Sequence, residues 1–339
     1  MNQTLPVGKL PHHLLAQLIS SLPTKGERVL LGPGIGLDCA VLEFDDRCLV
    51  FKTEPITFAT QQIGWYAVQI AANDIATTGC VPQWMLLTIL LPEAKTTPAT
   101  VEEITRQVGD TCRQMNITLV GGHTEITAGL DRPILITTLF GEIAREKLIT
   151  PRGAKPHDRL ILTKGVPIEA AALLALEFPH RMKNVLSENE LAQVQNFLVQ
   201  PGISVLPEAG IAVRAGGIHA MHDPTEGGIS TALWELAVAS QKTLVIEPGK
   251  IFVPDLAARI CSHFHLNPFG TIASGALLLA VDPSSADTVL HALRSNCIYA
   301  VEIGWIETGD STVFQITPNG RSPFIRFDRD EITRIFETS

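Results

Sequence analysis

No two of the six cysteines (39, 48, 80, 112, 261 and 297) form a CxxC pair, and no Cys–His clustering of the zinc kind is present. With the cysteines so scattered, a cytoplasmic protein with reduced thiols is the simplest reading. No apolar run approaches the roughly 18–20 residues of a membrane span. The amino-terminal stretch MNQTLPVGKLPHHLLAQLISSLP lacks a charged n-region followed by an apolar segment, so it does not read as a signal peptide. Basic residues are in deficit, 26 against 35 acidic ones, for a net charge of −9. That balance argues against nucleic acid or an anionic membrane as partner. A mononucleotide carried with a divalent cation remains compatible. The P-loop pattern GxxxxGK[ST] is missing. The glycines at 32 and 34 fail the dinucleotide fingerprint, because the third required position is Leu37.

What is present is a chain of 339 residues, 45% hydrophobic and 18% charged, enough for about two domains with full cores. Strands are expected at 47–53, 85–91, 117–120 and 134–143, with helices at 61–78 and about 101–115. The stretch 149–158, ITPRGAKPHD, is dense in Pro and Gly and reads as a boundary. The domains are accordingly placed at 1–150 and 151–339. Beyond the boundary, strands are expected at 159–163, 217–221, 243–246, 275–281 and 299–306. Helices are expected at 167–177, 188–199, 204–215, 284–295 and from residue 223 to about 240. Alternation in both halves gives an α/β or α+β class. The strands at 47–53, 85–91 and 134–143 are too apolar to stand as an open edge or sheet face, which implies a homodimer through the first domain.

Five stretches combine small residues with carboxylates and offer hard oxygen ligands: Asp38, Glu54, Asp74, Glu125 and Asp223. Such ligands suit Mg²⁺ with substrate phosphates. Each acid alone reads equally as a cap or a solvated charge. Asp74 differs, because it sits near the end of an apolar helix, where a negative charge costs a few tenths to ~1 kcal/mol. It therefore calls for a cation. In H-D-P-T-E-G-G, Asp223 suits an N-cap, Pro224 the first helical position and Glu226 a capping box. Gly227 and Gly228 do not fit a simple helix start, since each costs roughly 1 kcal/mol relative to Ala. If they only interrupt a helix, Gly228→Ala should raise stability. If they admit an anion to the first turn, it should impair binding.

In order, GxGxDCAV, KTEPIT, AANDIATTGCVP, LVGGHTEIT, TPRGAKPHDRLILTKG, HDPTEGG and SGALLLAV resemble the AIR synthase-related, PurM-like ATP-binding superfamily over nearly the whole chain. The branch carrying D-P-T-R-G-G, that of the hydrogenase maturation factor HypE, is the most similar. The resemblance implies two domains, the first forming a barrel-like dimer sheet and the second an α/β domain. It implies ATP and Mg²⁺ as cofactors, in a cleft near the dimer interface. Carried over by motif, Asp38, Glu54, Asp74, Glu125 and Asp223 would hold metal. Gly34, Gly36, Thr53, Gly121, Gly122, Thr124, Arg152, Gly227 and Gly228 would contact nucleotide, with Asp223, Glu226 and His123 in the catalytic group. The implied chemistry is transfer of, or activation by, the γ-phosphate on a small-molecule or protein-borne acceptor. A small-molecule kinase such as thiamine-monophosphate kinase, and a non-catalytic nucleotide-binding scaffold, are the alternatives. The chain departs from that branch in two ways. It ends R-I-F-E-T-S339 instead of in a cysteine tail, its last cysteine being Cys297, expected inside a core element. Glu226 stands where the branch has Arg.

Overall fold

The computed structural model describes residues 5, 7–57 and 59–337. It divides into two compact units. The larger holds residues 149–339 together with the chain up to Gly26 and the loop Gly32–Leu37. The smaller holds Glu27–Leu31 and Asp38–Leu148. The amino-terminal residues, including helix α1 (His12–Ser21), thus cluster with the second half of the chain.

The smaller unit is an open six-stranded sheet with two helices on one face. Its strands are β1 (Val29–Leu31), β2 (Ala40–Phe44), β3 (Arg47–Ile56), β4 (Trp84–Pro92), β5 (Thr118–Thr127) and β6 (Ile134–Ala144), in the order β1-β2-β3-β6-β4-β5. Only β4 and β5 run parallel. Strand alternation sends Val50, Met85, Leu87, Leu135 and Leu139 to one face. There they meet α2 (Ile63–Thr77), which is buried nearly all round, and the amphipathic α3 (Pro98–Met115). The opposite face is half-buried and carries Phe51, Trp84 and Phe140, with ring centroids 6.1 Å apart between neighbours. The strand expected at 117–120 does not stop at the glycine pair. It runs through Gly121 and Gly122 to Thr127, because pairing with β4 resumes at Gly121 after a bulge at Val120. As an edge strand it is exposed along almost its whole length, with Leu119, Val120 and Ile126 at least half exposed.

The larger unit is a seven-stranded sheet, β7 (Arg159–Thr163), β8 (Ile218–His222), β9 (Lys242–Ile246), β10 (Leu278–Val281), β11 (Ala300–Thr308), β12 (Val313–Thr317) and β13 (Gly320–Pro323), ordered β13-β12-β9-β11-β7-β10-β8. Its neighbours are antiparallel except β12 and β9. The helices are α4 (Ile168–Glu177), α5 (Glu188–Gln195), α6 (Leu206–Ala215), α7 (Gly228–Ser240), α8 (Asp255–His263), α9 (Ala286–Ser295) and α10 (Thr333–Glu337). With one parallel pair in each sheet, the class is α+β. The core gathers Leu160, Leu162, Leu233, Leu236, Leu244 and Leu278 between sheet and α7. Cys297 is exposed in the turn after α9, not in a core element, because α9 ends at Ser295 before the chain reaches β11.

Candidate functional site

In the smaller unit two of the expected metal ligands, Glu54 and Asp74, pair with one lysine, and Asp38 acts on it electrostatically. Residues 52 and 54 share a face of β3 because strand side chains repeat every two residues. Lys52 Nζ lies 3.1 Å from Glu54 Oε2 and 3.3 Å from Asp74 Oδ1. Asp74 comes from the last turn of α2 and is 3% exposed. Burial pulls the Lys52 ammonium down. Asp74, Glu54 and Asp38 together outweigh that pull and hold it well above the usual lysine value. The cation that Asp74 requires is thus supplied by the chain itself. Lys52 is the functional residue that motif reading passed over, although K-T-E carried the signal in its period of two.

Three carboxylates against one ammonium leave a net negative, oxygen-only donor set. That set fits a hard dication such as Mg²⁺, which takes carboxylates plus phosphate oxygens. Thr53, beside them on β3, is exposed and accepts a hydrogen bond from Thr138 Oγ1 at 3.1 Å.

Glu125 does not join this group. It lies on β5, where its carboxylate sits 3.0 Å from His123 Nε2 and accepts from Thr127 Oγ1 at 3.1 Å. The hydrogen bonds from His123 and Thr127 set its carboxyl below the usual range. Gly121, Gly122, His123 and Thr124 line a cavity of about 320 Å³ between β5 and α3, walled by Leu87 and Val108.

The remaining expected site residues belong to the larger unit. Gly34 and Gly36 lie in the loop 32–37, where Gly36 packs against the Glu235 carbonyl of α7. Arg152 is exposed in a short 3₁₀ turn, Pro151–Gly153. Asp223 is 1% exposed at the end of β8.

The D-P-T-E-G-G stretch is not built as its sequence suggests. Asp223 does not cap α7, which begins five residues later at Gly228 with Gly227 as N-cap and no side-chain cap bond. No capping box forms either. Glu226 Oε2 instead accepts the backbone N–H of Lys9 at 3.1 Å, and Lys9 Nζ donates to Thr225 Oγ1 at 3.3 Å. The reason is backbone conformation: Gly227 has φ +82° and Gly228 φ +61°, so the chain turns left-handed before the helix can start. The N–H of Gly227 is taken by Asp330 Oδ2 at 2.5 Å.

Asp330 is 4% exposed, and burial pushes its carboxyl up to about 7. Glu226 and Glu169 add to the rise, while the N–H groups of Gly227 and Ile332 oppose it. An acid whose folded value lies above its unfolded value of 3.8 makes the folded state most stable at low pH. The Asp330 contribution should therefore fall by about 3 kcal/mol as pH rises from 4 to 7, at 1.36 kcal/mol per pKa unit, with His12, whose imidazole is held below its usual value by burial, opposing it in the same window. Urea unfolding across pH 4.5–8 is expected to show this slope, and Asp330→Asn to remove it. Glu190 and Glu307, both set down to about 2, change their contribution below that window.

The same order of motifs is matched by two family models. AIR synthase related protein, N-terminal domain, covers residues 36–143, and the corresponding C-terminal domain covers 155–317. The chain belongs to the AIR synthase related protein family. Among curated relatives, a putative hydrogenase expression/formation protein of Methanocaldococcus jannaschii is 27% identical over 297 residues, spanning 84% of each chain. The carbamoyl dehydratase HypE of Rhizobium leguminosarum bv. viciae is 26% identical over 272 residues, 78% of this chain and 74% of that one. A solved structure of hydrogenase maturation protein HypE in complex with ATP superposes with a TM-score of 0.72 at 21% identity, covering 94% of this chain and 96% of that chain. The two-domain PurM-like fold of this family is therefore the fold of this protein.

Proposed function

We propose that the protein is an ATP- and Mg²⁺-dependent enzyme of the HypE-like type, using the γ-phosphate of ATP on a small-molecule or protein-borne acceptor. The observation that carries the reading is the buried Asp74, which shares the Lys52 ammonium with Glu54, with Asp38 acting on the same charge. Asp38, Glu54 and Asp74 would hold the metal, which when bound neutralises phosphate charge. Lys52 holds Glu54 and Asp74 in place through its two ion pairs. The exposed strand 121–125 would offer backbone groups and His123 to the nucleotide. Within the second unit, Asp223 and Glu226 are the candidate catalytic residues. Catalysis of this kind rests on positioning and charge neutralisation. ATP turnover measured alone and with candidate acceptors, such as carbamoylated thiols and phosphorylatable alcohols, tests the proposal. Turnover stimulated by an acceptor and abolished in Asp74→Asn supports it. ATP bound without turnover under any acceptor would mark a nucleotide-binding scaffold instead.

The proposal includes a homodimer. β5 leaves one edge without a neighbouring strand in the sheet order, and the sheet face bearing Phe51, Trp84 and Phe140 is half-buried and apolar. Light scattering at micromolar concentration is expected to give twice the 36.7 kDa chain mass. A value of 36.7 kDa would remove the dimer from the account.

A further inference from the structure

We infer that Asp330 is a positioning residue for the D-P-T-E-G-G loop, its carboxyl holding the backbone N–H of Gly227 just where α7 is about to start. The role rests on the reading of that loop as part of the site.

The contact spans 103 residues. Asp330 Oδ2 accepts from Gly227 N–H at 2.5 Å and Oδ1 from Ile332 N–H at 2.8 Å. One side chain thus ties the N-cap of α7 to the start of the carboxy-terminal segment. The segment is itself anchored. Ser230 Oγ donates to the Ile325 carbonyl, and Glu331 N–H donates to the Gly270 carbonyl at 3.0 Å. Glu331 Oε2 accepts from Asn267 N–H at 3.1 Å, and the Phe327 ring lies flush against Gly270. From the other end of the chain, Lys9 N–H holds Glu226. The loop is therefore gripped at two adjacent residues by the two ends of the chain.

Simple capping does not explain the residue type. A buried carboxylate beside Glu226 and Glu169 is costly, and a neutral side chain would cap a helix without that cost. What the carboxyl adds is two acceptor oxygens on one side chain, one on Gly227 N–H and one on Ile332 N–H, which fix the backbone just after Thr225. The Gly227 N–H, which the motif alone offers to a phosphate, is already engaged. A phosphoryl group would meet the loop through the side chains that Asp330 holds in place.

The test uses the full chain with Asp330→Ala, which removes both acceptors, and Asp330→Asn, which keeps one oxygen. Peptide-resolved hydrogen–deuterium exchange should show at least tenfold faster exchange over residues 223–229 in Asp330→Ala, an intermediate rise in Asp330→Asn, and no change in α2 and β4. With Mg²⁺–ATP, kcat should fall at least tenfold in Asp330→Ala while KM for ATP stays within twofold. Unchanged exchange over 223–229 in both variants overturns the inference. So does faster exchange with kcat unaltered in an enzyme that turns over ATP. A wild type inert toward ATP would overturn the functional reading, and the exchange result alone would then decide the role of Asp330.

Discussion

Gly228→Ala is expected to destabilise the larger unit by about 2–5 kcal/mol, combining left-handed backbone strain with overpacking. The left-handed φ of +61° at Gly228 penalises any β-carbon. The added atom would also fall 2.6 Å from the Phe269 carbonyl oxygen and 2.7 Å from that of Thr271. Both neighbours are backbone, so neither can swing aside. Helix propensity alone gives the opposite sign, a gain of about 1 kcal/mol. It fails here because Gly228 is the first residue of α7 and has not yet adopted helical dihedrals. Urea unfolding of wild type and variant checks the sign, and an equally or more stable Gly228→Ala would contradict the packing described for this turn. Loss of nucleotide binding in this variant would not by itself mark the glycine as a ligand contact, since the turn is disturbed as well.

Lys52→Met should cost about 3 kcal/mol, in the range for removing one partner of a buried pair. Asp74 is 4% exposed at its side chain and Lys52 only 18%, so water recovers little of the lost interaction. Glu54 and Asp38 would then repel Asp74 without the intervening ammonium. The deficit should be flat from pH 6 to 9. A lysine raised above its ordinary value contributes fully below about 10.4 and loses that contribution only as pH rises through the higher folded value. If the three acids form a dication site, added Mg²⁺ should stabilise Lys52→Met more than it stabilises the wild type. Thermal or urea unfolding with and without Mg²⁺ measures both effects. A Lys52→Met protein as stable as wild type would mean that the acids are solvated singly.

Periodic segments were legible from the residues. The helix at 61–78 and the strands at 47–53, 85–91 and 134–143 lie where α2, β3, β4 and β6 form, because each has one strongly apolar face or is apolar throughout. α8, β12 and β13 were not anticipated; the two strands are short, with too few apolar positions to establish a period, whereas α8 does carry a helical period in Ala257, Ile260 and Cys261. The glycine pair at 121–122 reads as a strand end but lies inside the β4–β5 ladder just past a bulge at Val120, since pairing with β4 decides the backbone there. In the site, Asp74 showed its need for a cation through the helix dipole. That the cation is Lys52 depends on the packing of α2 against β3, which no local pattern encodes. The D-P-T-E-G-G cap misled for a related reason. Its apparent capping partners are claimed by Lys9 and Asp330, more than a hundred residues away in each direction.

The central claim is a nucleotide site that depends on a dication held by Asp38, Glu54 and Asp74. Calorimetric titration of ATP into the wild-type protein, once in Mg²⁺ and once in EDTA, tests it most directly, with Asp74→Asn as the paired variant. Binding is expected in Mg²⁺, with at least a thirtyfold weaker affinity in EDTA and a similar weakening for Asp74→Asn in Mg²⁺, about 2 kcal/mol at 1.4 kcal/mol per tenfold. Equal affinity in Mg²⁺ and EDTA, or in wild type and Asp74→Asn, would contradict it.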